Sequence, residues 1–253
     1  MIAWEESGSG RPVVLVHGLT EDRRTWDPVV PLLEDGFRLV RLDLRSHGES
    51  SDADDLSARA MAGDVATVVA EAGIDVPPLL VGHSLGAVVV SAYAAAGGPS
   101  AGIVNVDQSL RLGDFAAGLQ PLAEGLRGPG CTEVVNAIFE SLGTDRLGPD
   151  ALAYLTECHD ATRQEVVLGV WDVVLESEPT QLTATAEGLL GALRVPYLAI
   201  HGSDPGPGYE AWLTNLLPSA TVEVWDGDGH YPHLVDPTRF AARVRAFADT
   251  VPR

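Results

Sequence analysis

The sequence predicts an α/β fold, with a mostly parallel central sheet flanked by helices and a helical insert. Three observations predict it. Short runs rich in Val, Leu and Ile alternate with longer amphipathic segments. The runs are apolar at consecutive positions, as in VVLV at 13–16, which suits strands buried on both faces of a parallel sheet. The alternation stops after Asp107 and resumes near residue 194. The interval is too long for an ordinary loop and reads as helical.

The elements follow in order. PVVLVHG, FRLVRLDL, PPLLVGHS and AGIVNVDQ read as strands, with helical patterns between them at 24–34, 56–72 and 85–97. Asp54 and Asp55 stand where the second of these helices should be capped, and Gly73 where it should stop. Helical pieces at 114–127, 132–141, 149–160, 163–176 and 181–193 fill the insert. VPYLAIHG and ATVEVWDG then read as strands, with helices at 209–217 and 237–249. The division is therefore a core of residues 1–107 and 194–253, with a helical cap, or lid, at 108–193.

Composition narrows the function. The net charge is −20 and all 16 cationic residues are Arg. With no Lys, Schiff-base and lysine-base chemistry are excluded. So acidic a chain repels phosphate backbones and anionic lipid, so neither nucleic acid nor a membrane is an expected partner. The opening MIAWEESGSG has Glu5 and Glu6 where a signal peptide needs basic and then apolar residues, and no window approaches a membrane span. Two cysteines, Cys131 and Cys158, make neither a disulfide framework nor a metal cluster. A cytoplasmic protein with free thiols is expected.

Gly82-His83-Ser84-Leu85-Gly86 follows one strand and opens a helix, the setting of a nucleophile elbow. A sharp turn there projects the Ser84 hydroxyl and aims the Leu85 N–H at a developing oxyanion. Gly18 lets the chain bend after VLVH, which makes the Leu19 N–H the natural second donor. A serine hydroxyl needs a base. Of seven histidines, His230 lies in the Gly-rich loop WDGDGHYPHLVDP after the last strand, with His233 as second choice. A metal pair of His230 and His233 lacks a third ligand at recognisable spacing. Asp204, in HGSDPG, comes after Ser84 and before His230, as the Ser…Asp…His order requires.

Four motifs carry a resemblance over nearly the whole chain: VHGL, DLRSHGES, GHSLG and GDGHYPHLVDP. Together they resemble the α/β-hydrolase-fold enzymes with a helical cap. That resemblance implies about seven or eight strands, a Ser–His–Asp triad of Ser84, His230 and Asp204, no cofactor and no metal. It also implies a cap inserted before the family's seventh strand. Asp204 comes two residues after Gly202, where the family commonly has three, and Asp107 at the end of the preceding strand is the rival acid. The expected substrate is a small apolar ester, thioester or lactone. The same fold also hosts C–C bond hydrolases, cofactor-free perhydrolases and slow-turnover receptors. Phe115, Phe139, Tyr154 and Trp171 of the insert are expected mostly to pack its helices together, with a minority lining an apolar acyl pocket.

Overall fold

The computed structural model describes residues 1–252. The strands are β1 (Trp4–Val16), β2 (Asp35–Leu42), β3 (Leu79–His83), β4 (Gly102–Val106), β5 (Tyr197–His201) and β6 (Ala220–Val224). The helices of the first half are α1 (Val30–Leu33), α2 (Ala58–Glu71) and α3 (Leu85–Ala95). Then come α4 (Leu112–Leu119), α5 (Ala123–Arg127), α6 (Cys131–Ser141), α7 (Pro149–Ala161), α8 (Gln164–Glu176) and α9 (Pro179–Ala192). The chain ends with α10 (Tyr209–Leu216), α11 (Pro232–Val235) and α12 (Pro237–Ala248).

The six strands form one sheet in the order β2-β1-β3-β4-β5-β6. That is fewer than the seven or eight expected, and β1 gives the reason. From Trp4 to Gly8 its partners on β2 fall from Leu42 to Arg38, and from Gly10 to Val16 they rise from Gly36 to Leu42. Leu42 thus pairs with both Trp4 and Val16, so the two halves of this strand flank β2 on opposite sides. One 13-residue strand does the work of two. The crossing falls at Gly8 and Gly10, where φ is +71° and +118°. A Cβ on Gly8 would lie 2.3 Å from the Phe37 carbonyl oxygen, so only glycine fits.

The period of two along each strand sorts the core into two layers. Val14, Val16, Val40, Leu42, Leu80 and Ile103 pack on one face of the sheet with residues of α2, α3 and α10. Val13, Leu15, Leu39, Val81, Val104 and Ile200 pack on the other with Trp26 and with Phe240, Val244 and Phe247 of α12. Both faces are dry, so β3, β4 and β5 are buried at every residue. Each such buried aliphatic contributes roughly 1.5–3 kcal/mol.

Two local expectations are corrected. The segment 24–34 is not one helix but a 3₁₀ turn at Arg23–Trp26 and the short α1. Pro28 and Pro31 lack the N–H groups that a continuous helix would use. Helix α2 is capped by Ser57, which accepts the Ala60 N–H at 3.2 Å, rather than by Asp54 or Asp55. Asp55 instead accepts the N–H of Ser57.

Between β4 and β5 the chain is helical throughout, with no strand. These helices carry their own apolar cluster, with Ala116, Leu119, Leu126, Val167, Val174, Leu175 and Leu182 at its centre. Cys131 and Cys158 are free and buried. Among the described residues no helix is long and apolar enough to cross a membrane.

Candidate active site

The site lies at the C-terminal ends of β3 and β4, where open α/β sheets place their ligands. Ser84 joins β3 to α3 with φ +49° and ψ −120°, a conformation a non-glycine residue holds at a cost of about 1–3 kcal/mol. Two glycines make the turn possible. A Cβ on Gly82 would stand 2.4 Å from the Gly86 carbonyl, and one on Gly86 would stand 2.2 Å from the Val16 carbonyl oxygen. Helix α3 can therefore rest directly on the ends of β1 and β3, with its N-terminus beneath the serine.

His230 follows β6 through Gly227 (φ +88°) and Gly229 (φ +62°). Its Nδ1–H donates to Asp107 Oδ2 at 2.6 Å. Asp107 also has a left-handed backbone, φ +52°, which aspartate tolerates better than most residues. Its other oxygen, Oδ1, accepts the Gly202 N–H at 2.8 Å. Burial alone would raise the Asp107 pKa. The His230 hydrogen bond and charge outweigh burial and hold the carboxyl below its ordinary value. The acid is thus ionised at neutral pH and oriented by two donors.

This corrects the assignment of Asp204. The histidine loop crosses directly over the loop after β5 at Gly202, and beyond it Ser203 and Pro205 line the cavity around Ser84 but Asp204 does not. Gly229 N–H donates to the Gly202 carbonyl at 3.1 Å, and a Cβ on Gly202 would lie 1.9 Å from the Gly229 oxygen. Past this crossing Asp204 is exposed, and its Oδ1 accepts the Gly206 N–H at 2.9 Å. It closes its own turn, as Asp does ahead of Gly, and does not reach the imidazole. Asp226, in the turn before His230, is exposed, and Asp228 faces Arg239.

The other histidines have different partners, although His159 and His201 also line the cavity around Ser84. His17 accepts the Leu44 N–H at 2.9 Å. His47 donates to the Arg45 carbonyl at 2.9 Å, and His159 pairs with Asn136 at 2.6 Å. His201 is buried and its Nδ1 lies 3.9 Å from Asp107 Oδ1. His233 Nε2 lies 3.1 Å from the Thr25 hydroxyl, and burial drives its pKa well below the ordinary value.

Glu21, His83 and His233 are fully or almost fully buried and bring three possible ligand atoms within 4.8 Å of one another. Glu21 Oε1 and His83 Nδ1 are only 2.8 Å apart. Ligands of a tetrahedral zinc with bonds near 2.0 Å sit roughly 3.3 Å apart, so the spacing suits an ion pair better than zinc.

Ser84, Asp107 and His230 line one cavity of about 810 Å³, together with Leu19, Thr20 and Leu85. Its far wall comes from the helical segment and includes Phe115, Phe139, Trp171 and Leu182. Three of the four aromatics expected mainly to pack helices therefore face the cavity. Tyr154 does not: its hydroxyl donates to the Asp22 carbonyl at 3.0 Å. A second pocket of about 610 Å³, lined by Asp22, Arg23, His47, Asp52 and Glu157, is polar and holds none of these three residues.

The DLRSHGES segment supports the fold and does not enter the cavity. Asp43 accepts the N–H groups of Arg23 and Glu49, each at 2.8 Å, and Arg45 pairs with Asp64 at 2.6 Å.

Known proteins resemble this chain in sequence and fold. An uncharacterized protein of Mycobacterium tuberculosis is 27% identical over 98% of this chain and 78% of its own length. A thermophilic esterase from Thermogutta terrifontis superposes with a TM-score of 0.81 at 26% identity, covering 98% of this chain and 93% of that one. The enol-lactonase of Burkholderia xenovorans shares the fold, with a TM-score of 0.81 at 20% identity over 98% of this chain and 96% of its own. The model of the alpha/beta hydrolase family matches residues 13–243, and the chain belongs to that family of hydrolases.

Proposed function

We propose that the protein hydrolyses carboxylic esters, thioesters or lactones through an acyl-enzyme on Ser84. His230 takes the Ser84 proton as the hydroxyl attacks the acyl carbon, and passes it to the leaving group. It then takes a proton from water as water attacks the acyl-enzyme, and returns it to Ser84. Asp107 keeps the ring in the tautomer with hydrogen on Nδ1 and stabilises the imidazolium. The N–H groups of Leu19 and Leu85 receive the oxyanion, and loss of one such donor costs about 3 kcal/mol of transition-state stabilisation. Segment 108–193 acts as a cap whose apolar wall binds the acyl group, with no metal or cofactor required.

The observation that carries this reading is the His230–Asp107 hydrogen bond of 2.6 Å in the cavity that also holds Ser84. The esterase from Thermogutta terrifontis lends support as a structural relative. The test is labelling with a fluorophosphonate probe and turnover of a panel of p-nitrophenyl esters and thioesters. Wild type should be labelled on Ser84 and turn over steadily, and Ser84→Ala should do neither. Label on another residue, or a single burst that stalls, would overturn the reading.

A further inference from the structure

The triad leaves a buried ion pair unused. Glu21 is 3% exposed and His83 0%, and they meet with Oε1 and Nδ1 2.8 Å apart. Both are tied further. Glu21 Oε2 accepts the Gly18 N–H at 3.3 Å, next to the oxyanion donor Leu19. On the opposite edge of the His83 ring, Nε2–H donates to the His230 carbonyl at 2.8 Å. His83 itself precedes Ser84 in the elbow. One chain of contacts therefore runs from Gly18 through Glu21 and His83 to His230, touching the oxyanion loop, the elbow and the histidine loop.

We propose that Glu21 and His83 are positioning residues, a buried ion pair that locks the oxyanion loop, the nucleophile elbow and the histidine loop into one unit. The proposal rests on the serine-hydrolase reading above. Its geometry is specific. The His83 ring also contacts those of His230 at 4.7 Å, Tyr231 at 5.2 Å and His233 at 4.6 Å, so the His230 loop is braced along its length. A Cβ on Gly18 would come within 2.7 Å of Glu21 Oε1 and 3.0 Å of His83 Nδ1, so the pair packs directly against the oxyanion loop where only glycine fits.

Protonation agrees. Burial disfavours both charges, yet Glu21 is pulled down to about 2 and the His83 pKa rises, each because the partner's charge outweighs burial. Either charge left alone in this place would be strongly destabilising, so the two groups hold each other there. Reacting groups must sit within a fraction of an ångström of their productive geometry, so a lock of this kind acts on kcat.

The test compares wild type, Glu21→Gln, His83→Gln and the double variant. Hydrogen exchange reads the lock itself, and steady-state turnover of p-nitrophenyl butyrate reads its effect. Each single variant should raise exchange at residues 17–21, 82–86 and 228–231 together, while α12 stays protected. It should lower kcat by up to about 100-fold, with KM changed less than about three-fold. The double variant should be no worse than the worse single one, because residues acting as a unit are not additive. Exchange confined to the mutated loop, kcat within about two-fold of wild type, or multiplicative losses in the double variant would each overturn the proposal. Glu21→Asp covers the case in which the neutral variants do not fold. It keeps the charge with a shorter reach and should lower kcat while loosening all three loops, and a wild-type result there would overturn the proposal equally. If wild type neither turns over esters nor labels on Ser84, the hydrolase reading fails alone, and the exchange pattern still decides whether the lock exists.

Discussion

At the scale of single residues, the histidine is placed by what crosses what. The Gly202–Gly229 contact leaves no room for a Cβ, since one would stand 1.9 Å from a carbonyl oxygen. Gly202→Ala must displace the loop that carries His230. We expect a stability loss of about 1–3 kcal/mol, as for overpacked sites, measured by urea denaturation. Turnover should fall more than stability, because the His230–Asp107 bond depends on that crossing. The proposed nucleophile Ser84 and base His230 are legible in the sequence because each sits in a local pattern: glycines at fixed offsets around a serine, and a Gly-rich loop before the last helix. The proposed acid is not. Asp204 and Asp107 both follow strands, and spacing from a glycine does not reveal which carboxylate turns inward. The deciding facts are three-dimensional. Asp204 has a nearby Gly206 N–H to satisfy it, while Asp107 receives Gly202 and His230 from elsewhere in the chain. Glu21 and His83 escaped for the same reason, since 62 positions separate two residues whose side chains meet in space.

At the scale of elements, the strands were readable because a run apolar on both faces has few other uses. All six apolar runs became strands, and the helical insert was visible as a gap in that pattern. The sheet has six strands rather than the expected seven or eight because β1 bends round β2, an event signalled only by Gly8 and Gly10. The insert's aromatics could not be sorted in advance, since a helix buries side chains alike against a neighbour or a cavity. Phe115 and Trp171 touch edge to face, 6.2 Å between centroids, and both line the cavity. Truncating either to Ala should deepen the acyl site. In a series of p-nitrophenyl esters, the ratio of kcat/KM for long over short acyl chains should rise about 10-fold, the worth of a few well-packed carbon atoms. An unchanged chain-length profile would mean that the acyl group lies elsewhere. Within the insert's own core, Leu182→Ala should cost about 2–5 kcal/mol of stability. Leu182 is 5% exposed, and the loss would be read from denaturant midpoints.

At the scale of the whole molecule, stability should depend on pH through its buried histidines. His47 is 7% exposed, and burial, reinforced by the nearby His17, lowers its pKa from 6.5 to about 4. Above pH 6.5 it is neutral in both folded and unfolded chains. As pH falls from 6.5 to 4, the unfolded chain takes up the proton and the folded one does not, so this residue alone removes about 3 kcal/mol of stability. His83 acts in the opposite sense, because its pKa is raised and its contribution is lost as pH rises through that higher value. Comparison with His47→Gln isolates the first effect. Thermal midpoints of the two proteins should diverge in slope between pH 6.5 and 4, with the variant falling less. Parallel curves would show that His47 is charged in the folded state. The net charge of −20 adds a uniform self-repulsion, and added salt should raise the midpoint of both proteins at neutral pH.

The most direct measurement compares kcat for Asp107→Asn and Asp204→Asn, using a p-nitrophenyl ester near pH 8 with fold checked by circular dichroism. The geometry predicts that Asp107→Asn lowers kcat by roughly 10⁴-fold, as loss of the orienting acid does in a Ser–His–Asp triad, while Asp204→Asn stays within about three-fold of wild type. Near-normal turnover in Asp107→Asn, together with a collapse in Asp204→Asn, would contradict it.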